Sequence, residues 1–181
     1  MSSPRHTFIP LEPQDLLKDV EEQLASQTPT QKRGLLYTYD LPSSCRKVFD
    51  AVVKPMADDM KKWAESQQKG FNINDFERPR YQPQFYPLKK EGDTVWTDNG
   101  YVCLIVPFFK GTMEVLVRIL GSSDEYSIKW ESGSVLHLDE ATGILPLQGD
   151  LIFYYSLFYV SATGAVAITS QETQSSRRIE G

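Results

Sequence analysis

Histidine and cysteine are scarce in this 181-residue sequence, two of each, so the side-chain chemistry open to it can be worked through case by case. His137 stands two residues before Asp139, and in a strand that spacing puts both on one face, the arrangement of an acid/base pair or of an ordinary buried histidine beside a turn. The other histidine, His6, lies in a proline-containing N-terminal stretch. A metal site built on two imidazoles would have to recruit that stretch, so no metal site and no cofactor are expected. Cys103 has no base close to it in sequence, and a serine nucleophile would depend on His137 without a nucleophile elbow to present it. Gly111 and Gly121 sit where hairpins turn and not where a helix opens, which leaves no phosphate-cradling loop. Arg118 and Lys129 are placed either to orient an anionic group or to cover a solvent face with their stems.

The elements that must position these groups are mostly strands. Between Thr94 and Thr169, β-forming runs alternate with turn residues: 94–97, 101–109, 113–120, 126–130, 134–138, 150–160 and 165–169, broken by Asp98-Asn99-Gly100, Lys110-Gly111, Gly121 to Asp124, Ser132-Gly133, Glu140 to Gly149 and Ala162 to Gly164. Turn signals at this spacing predict an antiparallel barrel or sandwich and not βαβ units. Upstream, Leu16, Leu17, Val20 and Leu24 mark a short amphipathic helix. Residues 35–41 read as a strand that joins the later sheet. Val48, Phe49, Val52, Val53, Met56, Met60 and Trp63 form the apolar stripe of one long helix over about 44–68, with a kink or break expected at Pro55. From Gly70 to Pro87 the pattern is irregular, with aromatics that would pack a loop onto the body. The expected organisation is an N-terminal arm and short helix over 1–34, a single β-barrel domain over 35–170 and a polar tail over 171–181. The end of that tail, Ile179-Glu180-Gly181, reads as part of a protease-recognition linker.

Nineteen basic against 24 acidic residues give a net charge of −5, and the predicted pI is near 5.1. No basic field for nucleic acid or anionic membrane exists at that balance, and no apolar run reaches the roughly 18 residues that span a bilayer. The N-terminus lacks the apolar core of a secretory signal, so a cytoplasmic location is expected, with Cys45 and Cys103 as free thiols.

Residues 84–98, from Gln84-Phe85-Tyr86-Pro87-Leu88 through Glu91-Gly92-Asp93 to Thr94-Val95-Trp96-Thr97-Asp98, carry a more specific pattern. They are followed by Tyr101 to Gly111, with Val106-Pro107 near its end, and by Glu114-Val115-Leu116-Val117-Arg118. With Ile152 to Ser156 and Thr163 to Thr169, this resembles the prolyl-4-hydroxylase-like iron and 2-oxoglutarate oxygenases over roughly residues 84–170. The resemblance implies a mainly β, α+β fold: an antiparallel double-stranded β-helix of jelly-roll or cupin-like kind, with the long N-terminal helix packed on a sheet face. It also implies what is missing. Trp96 stands for the first iron histidine with Asp98 kept, Phe158 or Tyr159 for the second, and Ala165 for the arginine that grips 2-oxoglutarate. A lone carboxylate cannot hold Fe(II) in an open facial site.

The emptied barrel would present an aromatic mouth of Tyr86, Trp96, Tyr155, Phe158 and Tyr159, with Arg118 nearby, to a hydrophobic small molecule. The resulting expectation is a metal-independent, redox-neutral enzyme of isomerase, cyclase or pericyclase type, with Asp98, His137 and Asp139 as its proton-transfer groups. Two alternatives stay open. One is a non-catalytic binding module. The other is a structural or assembly protein, a homo-oligomer in which the N-terminal arm wraps a neighbour.

Overall fold

The computed structural model describes residues 6–11, 14–33, 36–71, 84–89 and 94–162. Among the described residues eight strands build the barrel: β5 (Gln84–Lys89), β6 (Val95–Trp96), β7 (Tyr101–Pro107), β8 (Thr112–Ile119), β9 (Glu125–Glu131), β10 (Ser134–Leu138), β11 (Thr142–Pro146) and β12 (Asp150–Ala162). Four strands precede them: β1 (His6–Pro10), β2 (Thr30–Arg33), β3 (Leu36–Thr38) and β4 (Lys69–Phe71). The larger sheet runs β1-β10-β7-β12, with β12 continuing to β5 along its first half and to β4 at its end. The smaller runs β6-β11-β8-β9, and β2 and β3 form a separate hairpin. Among the described residues the pairings in both main sheets are antiparallel.

From β5 to β12 the chain visits the larger sheet, the smaller, the larger, the smaller twice, the larger, the smaller and the larger again. That order is the double-stranded β-helix, a cupin-like barrel, and closing strands in this way covers most edges.

Strand alternation sorts the side chains into two cores. Cys103, Ile105, Leu136, Leu138, Leu151 and Phe153 of the larger sheet meet Val115, Val117, Ile128, Trp130 and Ile144 of the smaller sheet inside the barrel. The residues between them, including Val102, Leu104, Val106, Val135, Tyr154 and Phe158, face the helices. Val102 to Val106 are all buried because both faces of β7 are covered.

The helices lie on that second face. Leu17, Val20 and Leu24 of α1 (Gln14–Ala25) recur at helical spacing and are buried. The predicted long helix is not at the N-terminus, and it is interrupted around Pro55 as expected. α2 (Pro42–Val48) passes into a π-helical turn (Phe49–Val53), a 3-10 turn (Lys54–Met56) and then α3 (Ala57–Ser66). Pro55 supplies no N–H, and the ladder changes its hydrogen-bond spacing around that gap while Val52, Val53, Met56 and Met60 still reach the core. The Tyr154 hydroxyl donates to the Cys45 carbonyl at 3.0 Å, tying α2 to β12.

Three further expectations change. The N-terminal stretch is no free arm: His6–Pro10 pair with Ser134–Leu138 at the sheet edge, and Leu11 N–H donates to Gly133 O. Residues 36–38 pair with 30–33 and not with the main sheet, which the segment touches only through the Tyr39–Phe85 bridge. Residues 84–87, read as the end of an irregular stretch, lie in β5 and pair with β12. The predicted strand 165–169 and the tail 171–181 lie outside the described residues. No helix among the described residues is long and apolar enough to cross a membrane.

Candidate functional site

β6 is only two residues long, but its pairing fixes which side chains enter the barrel. Val95 pairs with Ile144 and faces inward; Trp96 pairs with Gly143 and faces out. Gly143 makes room for the indole, since a Cβ there would lie 2.6 Å from Thr94 Cγ2 and 2.7 Å from Trp96 Cε3. One residue on, Thr97 turns inward, and its N–H donates to the Thr142 carbonyl at 2.7 Å.

The corner where the resemblance puts iron is therefore built from Thr97, Cys103, Thr142 and Tyr155. Thr97 Oγ1 is 3.0 Å from Cys103 Sγ, the Tyr155 hydroxyl donates to the Trp96 carbonyl at 3.0 Å, and Thr142 Oγ1 donates to the Asp139 carbonyl. Burial pushes the Cys103 thiol up to about 12 and the Tyr155 phenol well above its ordinary range, so both stay protonated at neutral pH. Beside this corner Tyr86 stacks on Phe153 at 5.8 Å and meets Tyr155 edge-on at 6.0 Å. Tyr86, Val95, Tyr155 and Leu157 are half-buried on the inner wall, as are Phe109, Met113 and Tyr126 packed against the same core.

Of the expected binding residues, Tyr86 and Tyr155 come together on this wall. The others do not. Trp96 contributes its carbonyl inside and its ring outside. Arg118 also points outward from the smaller sheet, bonded to Thr94 Oγ1 and Glu125. Phe158 faces the helices, because it is one residue out of phase with Tyr155 and Leu157. Tyr159 has the phase of Tyr155 but lies beyond the barrel end, 37% exposed, against Tyr101 at 5.6 Å. Indole and phenol from Trp96 and Tyr159 thus lie outside the corner formed by Thr97, Cys103, Thr142 and Tyr155.

The expected catalytic groups also lie off the inner wall. Asp98 is exposed in the turn before β7, its carbonyl accepting from Tyr101 N–H. His137 is 1% exposed and faces α3, its ring edge-on to Trp63 at 4.6 Å. Asp139 Oδ1 is 3.9 Å from His137 Nε2. The two share a face, as their spacing predicted, but it is the helix-facing side of the sheet. Near them Glu140 accepts from Lys69 Nζ at 2.7 Å and from Gly100 N–H at 2.8 Å, bracing β4 against the turns at the barrel end.

Among the described residues no group of three or more His, Cys, Asp and Glu could hold a metal ion. Hydroxyls and a buried protonated thiol do not make an iron site, and among the described residues the inner wall has no cation for a dicarboxylate, so these residues do not fit iron and 2-oxoglutarate. Thr97, Thr142 and Phe153 were legible only through register. Once Val95 is placed inside, Thr97 must follow it and Trp96 cannot.

No family model matches the sequence, and no curated protein matches it. Among solved structures the chain is similar to CapF in complex with the inhibitor 3-isopropenyl-tropolone, at 14% identity over 43% of this chain, with a TM-score of 0.32; it spans 24% of CapF's length. It is also similar to HygX from Streptomyces hygroscopicus with nickel and 2-oxoglutarate bound, at 14% identity over 86% of this chain and 82% of that one, with a TM-score of 0.47. At these values the fold assignment rests on the strand order.

Proposed function

We propose that this chain is a small-molecule-binding barrel whose ligand seats against Tyr86 and Tyr155, backed by Phe153, without the help of a metal. The observation that carries the reading is the polar corner beside that wall, where Thr97, Cys103, Thr142 and Tyr155 satisfy one another or nearby carbonyls. A corner closed in this way supports binding by shape and apolar contact, with the aromatic wall supplying most of the area. Thermal unfolding tests it. Planar apolar compounds should raise the melting temperature by several degrees, whereas Mn(II) with 2-oxoglutarate should leave it unchanged. A rise with the metal and the oxo acid together would overturn the reading.

A redox-neutral isomerase, cyclase or pericyclase would use the same wall, and the half-buried Tyr86 phenol favours this as the second reading. Burial raises the pKa of Tyr86 and keeps it a proton donor at neutral pH, whereas Asp98, His137 and Asp139 lie elsewhere. Product formation that is lost in Tyr86→Phe and retained in His137→Phe would distinguish the enzyme from the binder.

A further inference from the structure

Among the described residues, every inward-facing side chain of the barrel is uncharged, on both sheets. The cations flanking the barrel face elsewhere. Lys69 is held by Glu140 on the helix side, Arg118 by Glu125 and Thr94 on the outer face of the smaller sheet, and Lys129 is exposed next to Ile128 and Trp130, which point in. An anion entering the barrel would lose its water and gain no counter-charge, a transfer that polar hydroxyls alone do not offset.

The donors on that wall can be accounted for one by one. Tyr155 is engaged with the Trp96 carbonyl, Thr97 with Cys103, and Thr142 with the Asp139 carbonyl. Tyr126 shares a hydrogen bond with His6 Nδ1 at 3.1 Å, and Trp130 Nε1 donates to the Ser134 carbonyl at 2.9 Å. Tyr86 remains. Its ring is fixed by Phe153 and Tyr155, and among the described residues its hydroxyl has no hydrogen-bond partner.

We infer that the barrel selects an uncharged planar ligand bearing one hydrogen-bond acceptor, such as an aryl ketone or quinone-like carbonyl, with Tyr86 as the donor, and rejects the matching carboxylate. This rests on the binding reading above and adds the charge and the polar contact. The raised pKa of Tyr86 keeps its proton available at neutral pH.

Three matched probes test it by calorimetry at pH 7.5: 2-acetylnaphthalene, 2-ethylnaphthalene and 2-naphthoate. The ketone should bind best, the hydrocarbon roughly three- to tenfold more weakly, the fold-change of one neutral hydrogen bond, and the carboxylate at least as weakly again. Tyr86→Phe should erase the ketone's advantage and leave 2-ethylnaphthalene unchanged, which also shows that the variant keeps its fold. Tight binding of 2-naphthoate would overturn the charge selection while leaving the binding reading intact. An unchanged ketone advantage in Tyr86→Phe would overturn the donor assignment. If none of the three binds, both the inference and the reading beneath it fail.

Discussion

His137 illustrates how a residue's chemistry is set by the layer it faces. Its Nε2 has no hydrogen bond among the described residues, and Asp139 Oδ1 at 3.9 Å is beyond bonding range. Burial, helped by the charge of Lys69, lowers its pKa from 6.5 to about 4. The titratable groups around it are Asp139 on its own strand, Lys69 on β4 and Glu140 in the turn that follows. The fold therefore holds the imidazole neutral, and the unfolded chain binds a proton first as pH falls. Stability from this group is fully present above about 6.5 and is lost as pH drops toward 4, amounting to roughly 3 kcal/mol at about 1.4 kcal/mol per pH unit. Unfolding in urea at a series of pH values should show that slope in the native protein, and His137→Phe should flatten it; an identical slope in the variant would assign the acid sensitivity elsewhere. The shared face of His137 and Asp139 was legible in the sequence, because period two fixes parity. Which side of the sheet they take was not: Val102 to Val106 are apolar at every position, since helices cover one face and the second sheet the other, and the alternation that would tell inside from outside disappears.

At the scale of elements, the seam between β6 and β11 determines what reaches the corner of Thr97, Cys103, Thr142 and Tyr155. Gly143 sits under the Trp96 ring and beside Thr94, with Arg118 next in register on β8. Gly143→Ala would push a methyl into the indole, and the rigid partner cannot yield as a flexible chain end would. The expected cost is about 1–3 kcal/mol, read from chemical unfolding, and a shorter residue at the partner position, Trp96→Leu in the Gly143→Ala background, should recover part of it. Additive losses in the double variant would show that the two side chains do not meet. The long strands of this region were legible from their turns, and most of their boundaries fall within a few residues of the pattern. β5 was hidden because Pro87 lies within it and prolines crowd its approach, and β11 was hidden inside what reads as one long turn from Glu140 to Gly149. The resemblance set Phe158 and Tyr159 opposite the Trp96 corner, whereas Thr142 and Gly143 of β11 are the neighbours there.

At the scale of the molecule, the question is whose edge the N-terminal strand covers. β1 pairs through all five of its residues with β10, and His6 reaches across to the Tyr126 hydroxyl on β9, so one short strand links the larger sheet to the smaller. Leu11 then enters the helix-side core at 3% exposure. This pairing makes β1 an edge strand of its own barrel, a role to be set against that of an arm that wraps a neighbour. The two roles predict opposite outcomes for deletion of residues 1–10. An arm that bridges subunits would, when removed, convert a defined oligomer into smaller, still stable species. A closing strand would leave the β1-facing N–H and C=O groups of β10 unpaired and remove the His6 contact to the Tyr126 hydroxyl. The truncated chain should then melt several degrees lower and associate more than the full chain in size-exclusion chromatography with light scattering, because an uncovered edge is a template for pairing with another chain. Clean dissociation without loss of stability would assign β1 to an interface between copies.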